Sequence, residues 1–129
     1  VRQLVYVSTA SALPHGDLEQ IMTSAARNNA AAGITGLLLF NGRNFLQLLE
    51  GERDAVDSLL DRVESDPRHS GVVVVTDLEV AERSFPDWSM RLLRLAEDAE
   101  LRRGALEAHL PGNLDQMVRR HILNFSALN

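Results

Sequence analysis

Apolar and polar positions alternate from Arg2 to Ser8 (RQLVYVS), with Leu4, Tyr6 and Ser8 on one face and Val5 and Val7 on the other, the period of a β-strand. The period then changes. After the turn residues Pro14 to Gly16, Asp17 is placed to cap a helix in which Leu18, Ile21, Met22 and Ala25 recur at helical spacing. Continuing that stripe by four reaches Asn29, whose carboxamide is expected to face inward, with Asn28 nearer the edge. Gly33 ends the helix. Ile34 to Phe40 reads as an apolar strand, joined through a turn at Asn41-Gly42 to a second strand ending at Glu50-Gly51. Leu37 and Leu39 oppose Leu38 and Phe40, so the sheet has to be covered on both sides. On the second strand Phe45, Gln47 and Leu49 share one face and Leu46, Leu48 and Glu50 the other.

A helix from about Arg53 to Ser65 sets Val56, Leu59, Leu60 and Val63 on one stripe and stops at Asp66-Pro67. Val72 to Thr76 follows as a short apolar strand. Glu79 to Asp87 is a charged connection containing Phe85-Pro86, and Trp88 to Leu92 alternates as a last strand with Trp88, Met90 and Leu92 on one face. The order β-α-β-β-α-β-β predicts an α+β fold, a ferredoxin-like sandwich with two helices on one sheet face. Two further helical stretches, about Asp98 to Leu110 and about Leu114 to Leu123, are broken into a hairpin by Pro111-Gly112 and are expected on the other face. Asn113 is the expected cap of the last helix, with Gln116 three residues on. The expected organisation is a core of residues 1–95 and a C-terminal helical hairpin of residues 96–129 packed on the sheet, in one compact unit.

A mid-strand amide among large apolar neighbours moves the reading from fold to chemistry. Left unpaired in the interior, Gln47 would cost about 1–3 kcal/mol. It presents donors and an acceptor, so its partner must be equally mixed. Tyr6, Asn29 and Gln47 come from three elements, and the topology lets them converge between the first sheet face and its two helices. A hydrogen-bonding cluster in an apolar wall is the makeup of a small-molecule pocket. A core network in which Tyr and Gln bond each other or the backbone accounts equally for the spacing.

Composition narrows the chemistry. A chain of 129 residues, 45% hydrophobic, is one domain with a real core. Without cysteine, disulfides, thiol nucleophiles and cysteine metal sites are excluded, and a cytoplasmic location is the expectation. No apolar run is long enough for a membrane span and no signal-peptide pattern opens the chain, so no membrane partner is expected. A net charge of -5 without a basic cluster argues against nucleic-acid binding. His15, His69, His109 and His121 lie on separate elements, so no metal site is expected. Glu50 follows Gln47 by three but faces the other way, which argues against a carboxylate pair. No phosphate-binding loop of the Walker or dinucleotide type is present.

The segments RQLVYVS, NNAAAGITGLLLF, FLQLLEG, PRHSGV and RSFPDWSM, in this order over about residues 2 to 92, resemble the BLUF family of blue-light sensors that use flavin. The resemblance implies a noncovalent flavin, FAD or FMN, between the two helices and the sheet. It also implies that Tyr6 and Gln47 are the photoactive pair, that Asn29 hydrogen-bonds the ring, and that Trp88 and Met90 alternate on a switch strand. Further positions carried over are Asn28 at the pocket edge, Ile21, Phe45 and Val63 as walls of the ring, and Arg68 and His69 near the ribityl chain and phosphate. Arg27 is placed to serve the same phosphate.

A photoreceptor domain is expected, not an enzyme, because the cluster holds a redox-capable Tyr and an amide but no substrate base or nucleophile. Output is then expected to pass to a separate effector protein or through a homodimer. Two other readings stand beside it: a small anion-binding hydrolase of acylphosphatase type, by fold analogy alone, and a colourless interaction module whose amides are only core.

Overall fold

Alternation along the first segment does produce a strand, β1 (Arg2–Ala10), and it lies inside the sheet. The computed structural model describes residues 1–10, 20, 27–66, 69–86, 91–94, 104, 106–108 and 110–126. Residues 27–32 form the described end of a first helix, α1. It is followed by β2 (Thr35–Phe40), β3 (Asn44–Gly51), α2 (Arg53–Ser65), β4 (His69–Glu79), β5 (Arg91–Arg94) and α3 (Gln116–Ser126).

The sheet order is β4-β1-β3-β2-β5. β1 runs antiparallel to β3 and β4, β2 antiparallel to β3, and β5 parallel to β2 at the edge. Four antiparallel strands in that order, with helices between them in the chain, make the expected α+β ferredoxin-like sandwich. Close approach of the hairpin strands depends on Gly36, where an added Cβ would fall 1.8 Å from Leu48 O.

Two apolar layers flank the sheet. On one face Leu4, Tyr6, Leu38, Phe45 and Leu49 pack with Val56 and Leu59 of α2. On the other, Val5, Leu37, Leu39, Leu46 and Leu48 pack with Leu106, Leu110, Leu114 and with Val118, Ile122 and Phe125 of α3. Strands apolar on both faces therefore acquire both covers they require. Arg2 closes one edge: its Nε and Nη2 donate to the Asp77 carboxylate, each at 2.9 Å, and its Nη1 bonds Asp57 of α2. Those bonds raise the Arg2 guanidinium and lower the Asp77 carboxyl from their ordinary ranges.

Three boundaries differ from the periodicity. β4 spans His69–Glu79, not only Val72 to Thr76, because its backbone goes on pairing with β1 from Ala10 opposite His69 to Arg2 opposite Glu79 through polar residues. The last strand is described at Arg91–Arg94, so it runs two residues past the expected end at Leu92, and residues 88–90 lie outside the described ones. The cap of α3 is Asp115, whose Oδ1 accepts from Met117 N at 2.9 Å and Val118 N at 3.2 Å. Asn113 instead donates from Nδ2 to Arg83 O at 3.3 Å, two positions too early to meet the free N–H groups.

Candidate functional site

The cross-strand register sets the centre of the site. Tyr6 of β1 stands opposite Gln47 of β3, and Gln47 opposite Leu38 of β2, so all three lie in one row on one sheet face. The row is sealed from water: Tyr6 is 0% exposed and Gln47 5%. Tyr6 donates its hydroxyl to Gln47 Oε1. Phe45, one pair along, lies opposite the buried Ser8 and stacks on Phe40 with ring centroids 4.8 Å apart. Val63 of α2 packs, half-buried, against the same layer.

Burial acts on the chemistry of Tyr6. Removing the phenolate from water raises the Tyr6 pKa well above its ordinary value, and the nearby Asp66 carboxylate raises it further. Asp66 is there because it closes α2, donating its N–H to Val63 O at 3.1 Å. In sequence it reads only as a helix stop before Pro67, and nothing in its spacing connects its charge to Tyr6.

Asn29 lies on α1 one helical turn before Ala32, which packs against the Tyr6 layer. Its backbone oxygen accepts from Ile34 N at 2.8 Å, fixing the helix end onto the start of β2. The side chain is 1% exposed, yet neither Nδ2 nor Oδ1 has a partner among the described residues. A carboxamide buried with both ends open calls for a group that offers an acceptor and a donor side by side. A flavin ring edge, with carbonyl and N–H adjacent, has that pattern.

Of the residues expected at the site, the structure thus joins Tyr6 and Gln47 directly and gathers Phe45 and Val63 into the same layer. It buries Asn29 on the helix beside it. Arg27 and Asn28 are exposed on α1. His69 opens β4 opposite Ala10. Ile21, Arg68, Trp88 and Met90 lie outside the described residues.

The family model described as BLUF, sensors of blue-light using FAD, matches residues 1–91. The photoactivated adenylate cyclase subunit beta of Euglena longa is 40% identical over 89 residues, which are 67% of this chain and 10% of that protein. The chain therefore spans about a tenth of that relative's length. Among solved structures, Klebsiella pneumoniae BlrP1 with FMN and cyclic diGMP superposes with a TM-score of 0.84 at 34% identity, covering 98% of this chain and 34% of that one. The dark-state structure of the BLUF protein BlrB gives a TM-score of 0.77 at 34% identity, over 98% of this chain and 96% of that one.

Proposed function

The chain belongs to the BLUF family of blue-light sensors, and from that membership we propose that Tyr6 and Gln47 are its photoactive pair and Asn29 the amide that holds the flavin. The observation that carries this reading is the Asn29 carboxamide, buried with both polar atoms unpartnered among the described residues. Leaving each such atom unpaired costs about 1–3 kcal/mol, a cost removed when a ligand edge meets it. FAD and FMN carry the same ring, so these residues serve either.

When bound, the flavin supplies absorption of blue light and an electron-accepting ring. The remaining work falls to the protein. Burial and Asp66 keep Tyr6 a neutral phenol at rest. On giving up an electron a phenol becomes strongly acidic, and its proton already lies against Gln47 Oε1. The electron and the proton would then return to Tyr6, and the amide of Gln47 would be left with donor and acceptor exchanged, by rotation or by tautomerisation, at nearly constant shape. Phe45, Val63 and Ile21 would wall the ring, Asn28 would stand at its edge, and Arg27, Arg68 and His69 would face the ribityl phosphate. Trp88 and Met90, two apart in sequence ahead of β5, would exchange one place beside Gln47 through a register shift or bulge.

The domain acts as a sensor and not as an enzyme. Its output passes through the C-terminal helices to an effector, or through a homodimer. Absorption spectroscopy tests the reading. The purified protein is expected to be yellow, to shift its flavin band to the red under blue light and to recover in darkness. Colourless protein that FAD and FMN both fail to reconstitute would overturn it.

A further inference from the structure

β3 carries a second buried polar residue, and the photosensor reading does not use it. Glu50, on the sheet face opposite Gln47, is 0% exposed and accepts three N–H bonds. Gln3 Nε2 donates to Oε2 at 3.0 Å, Ser84 N to the same oxygen at 2.6 Å and Phe85 N to Oε1 at 2.7 Å. Successive backbone N–H groups thus converge on both carboxylate oxygens, which is how a charge is buried without a cation on it. Gln3 Nε2 also reaches Ser84 Oγ at 3.2 Å. The orientation of that amide is set by charge, since turning it would bring Oε1 against the carboxylate. Gln3 Oε1 is left without a partner among the described residues.

The connection that Glu50 grips is tied down on its other side as well. Arg83 Nη1 donates to Thr35 Oγ1 at 2.9 Å and Glu50 O at 3.0 Å, and its Nη2 donates to Gly33 O at 2.7 Å. Residues 83–85 are therefore bound to β3, which carries Gln47, and to the connection that follows Asn29. From there they reach the opposite layer. Phe85 is buried in the cluster with Leu114, Val118 and Ile122, and Arg83 O accepts from Asn113.

We propose that Glu50 is a positioning residue that couples β3 to the C-terminal helices. Its carboxylate makes residues 83–85 move with the Gln47 strand, and Phe85 passes that movement to α3. The proposal rests on the photosensor reading and names the joint through which it is transmitted. A neutral isostere separates charge from shape. In Glu50→Gln the new NH2 must face one of two backbone N–H donors, so one tether is lost with no cavity made.

The test is hydrogen exchange on the whole flavin-loaded chain, in darkness and under blue light, with absorption spectra of the same samples. The wild type is expected to red-shift and to change protection across residues 110–126. Glu50→Gln is expected to red-shift to the same extent, because the substitution lies on the far face, while its light-minus-dark exchange difference in 110–126 falls about fivefold or more, the lower end of a typical coupling. Glu50→Asp, which keeps the charge, should recover part of that difference. A Glu50→Gln protein that red-shifts and retains the full difference overturns the proposal, as does a wild type that red-shifts with no change in 110–126. A wild type without a red shift overturns the photosensor reading, and the coupling falls with it. Should Glu50→Gln fail to fold, Phe85→Leu, which keeps the tethers and shortens the side chain that meets α3, is read by the same two results.

Discussion

The two faces of the sheet repeat one arrangement and complete it differently. β1 and β3 set a polar pair into each apolar layer: Tyr6 opposite Gln47 on the α2 side, Gln3 opposite Glu50 on the α3 side. Behind Glu50 the chain supplies its own donors, two backbone N–H groups from the connection before β5. Beside the Tyr6 layer, α1 buries Asn29 with both carboxamide atoms open among the described residues. A buried polar group answered by backbone holds the fold together, whereas the one left open beside a polar pair is where the proposed ligand would bind. The contrast cannot be drawn from burial, since Glu50, Tyr6 and Asn29 are all at 1% exposure or less.

Substitutions that leave volume nearly unchanged break the contrast most sharply. Gln47→Leu removes the amide's donors and acceptor beside Tyr6, so the light-induced red shift should vanish completely while flavin binding and folding survive. A normal photocycle in that variant, followed by absorption, would remove Gln47 from the mechanism. On the other face Glu50→Ala should act on stability. It leaves two loop N–H groups buried without an acceptor, a loss of about 3 kcal/mol in denaturant unfolding of the apoprotein. A variant within about 0.5 kcal/mol of wild type, the range of an ordinary surface change, would mean that water or another group answers those donors.

Tyr6 allows a smaller, pH-based comparison, and it is the sole tyrosine of the chain. Its folded pKa is raised, so the folded state holds the phenolic proton after the unfolded state has released it near pH 10. The stability this contributes is fully present below pH 10 and is lost as pH rises toward the folded pKa, at about 1.4 kcal/mol per pH unit. Phenolate absorbance should accordingly appear together with unfolding in an alkaline titration, not before it. Phenolate formed near pH 10 in folded protein would mean that Tyr6 is solvated. Tyr6→Phe keeps the packing and deletes only the hydroxyl. It should retain flavin and lengthen its fluorescence lifetime without accumulating the red-shifted state, and an unchanged light state there would move the donor elsewhere.

Much of this geometry could be read before the structure, because period-2 alternation assigns faces unambiguously. Alternation sets Gln47 and Glu50 on opposite faces of their strand, the inferred topology brings Tyr6 and Gln47 to the same sheet face, and helical spacing turns Asn29 inward. The answering groups could not be read in the same way. Glu50 is satisfied by backbone N–H groups 34 and 35 residues away, and a backbone donor leaves no mark in the residue type. Asp66 reaches Tyr6 only through tertiary placement of the end of α2. Asn113 and Asp115 are both good capping residues, and only the turn preceding α3 decides that Asp115 meets its free N–H groups. Strand ends extend beyond the apolar pattern where pairing continues through polar residues, as in β4, since a backbone ladder does not require apolar side chains.

The central claim is that the Tyr6 face is completed by a ligand, and Asn29→Ala tests it most directly when flavin affinity and apoprotein stability are measured on the same preparation. The account expects flavin to bind about tenfold or more weaker, the equivalent of one lost hydrogen-bonded edge, while the apoprotein unfolds at an unchanged or higher denaturant midpoint, because two unpartnered buried atoms have been removed. Equal losses of affinity and stability would contradict it, and would make Asn29 a structural residue like Glu50.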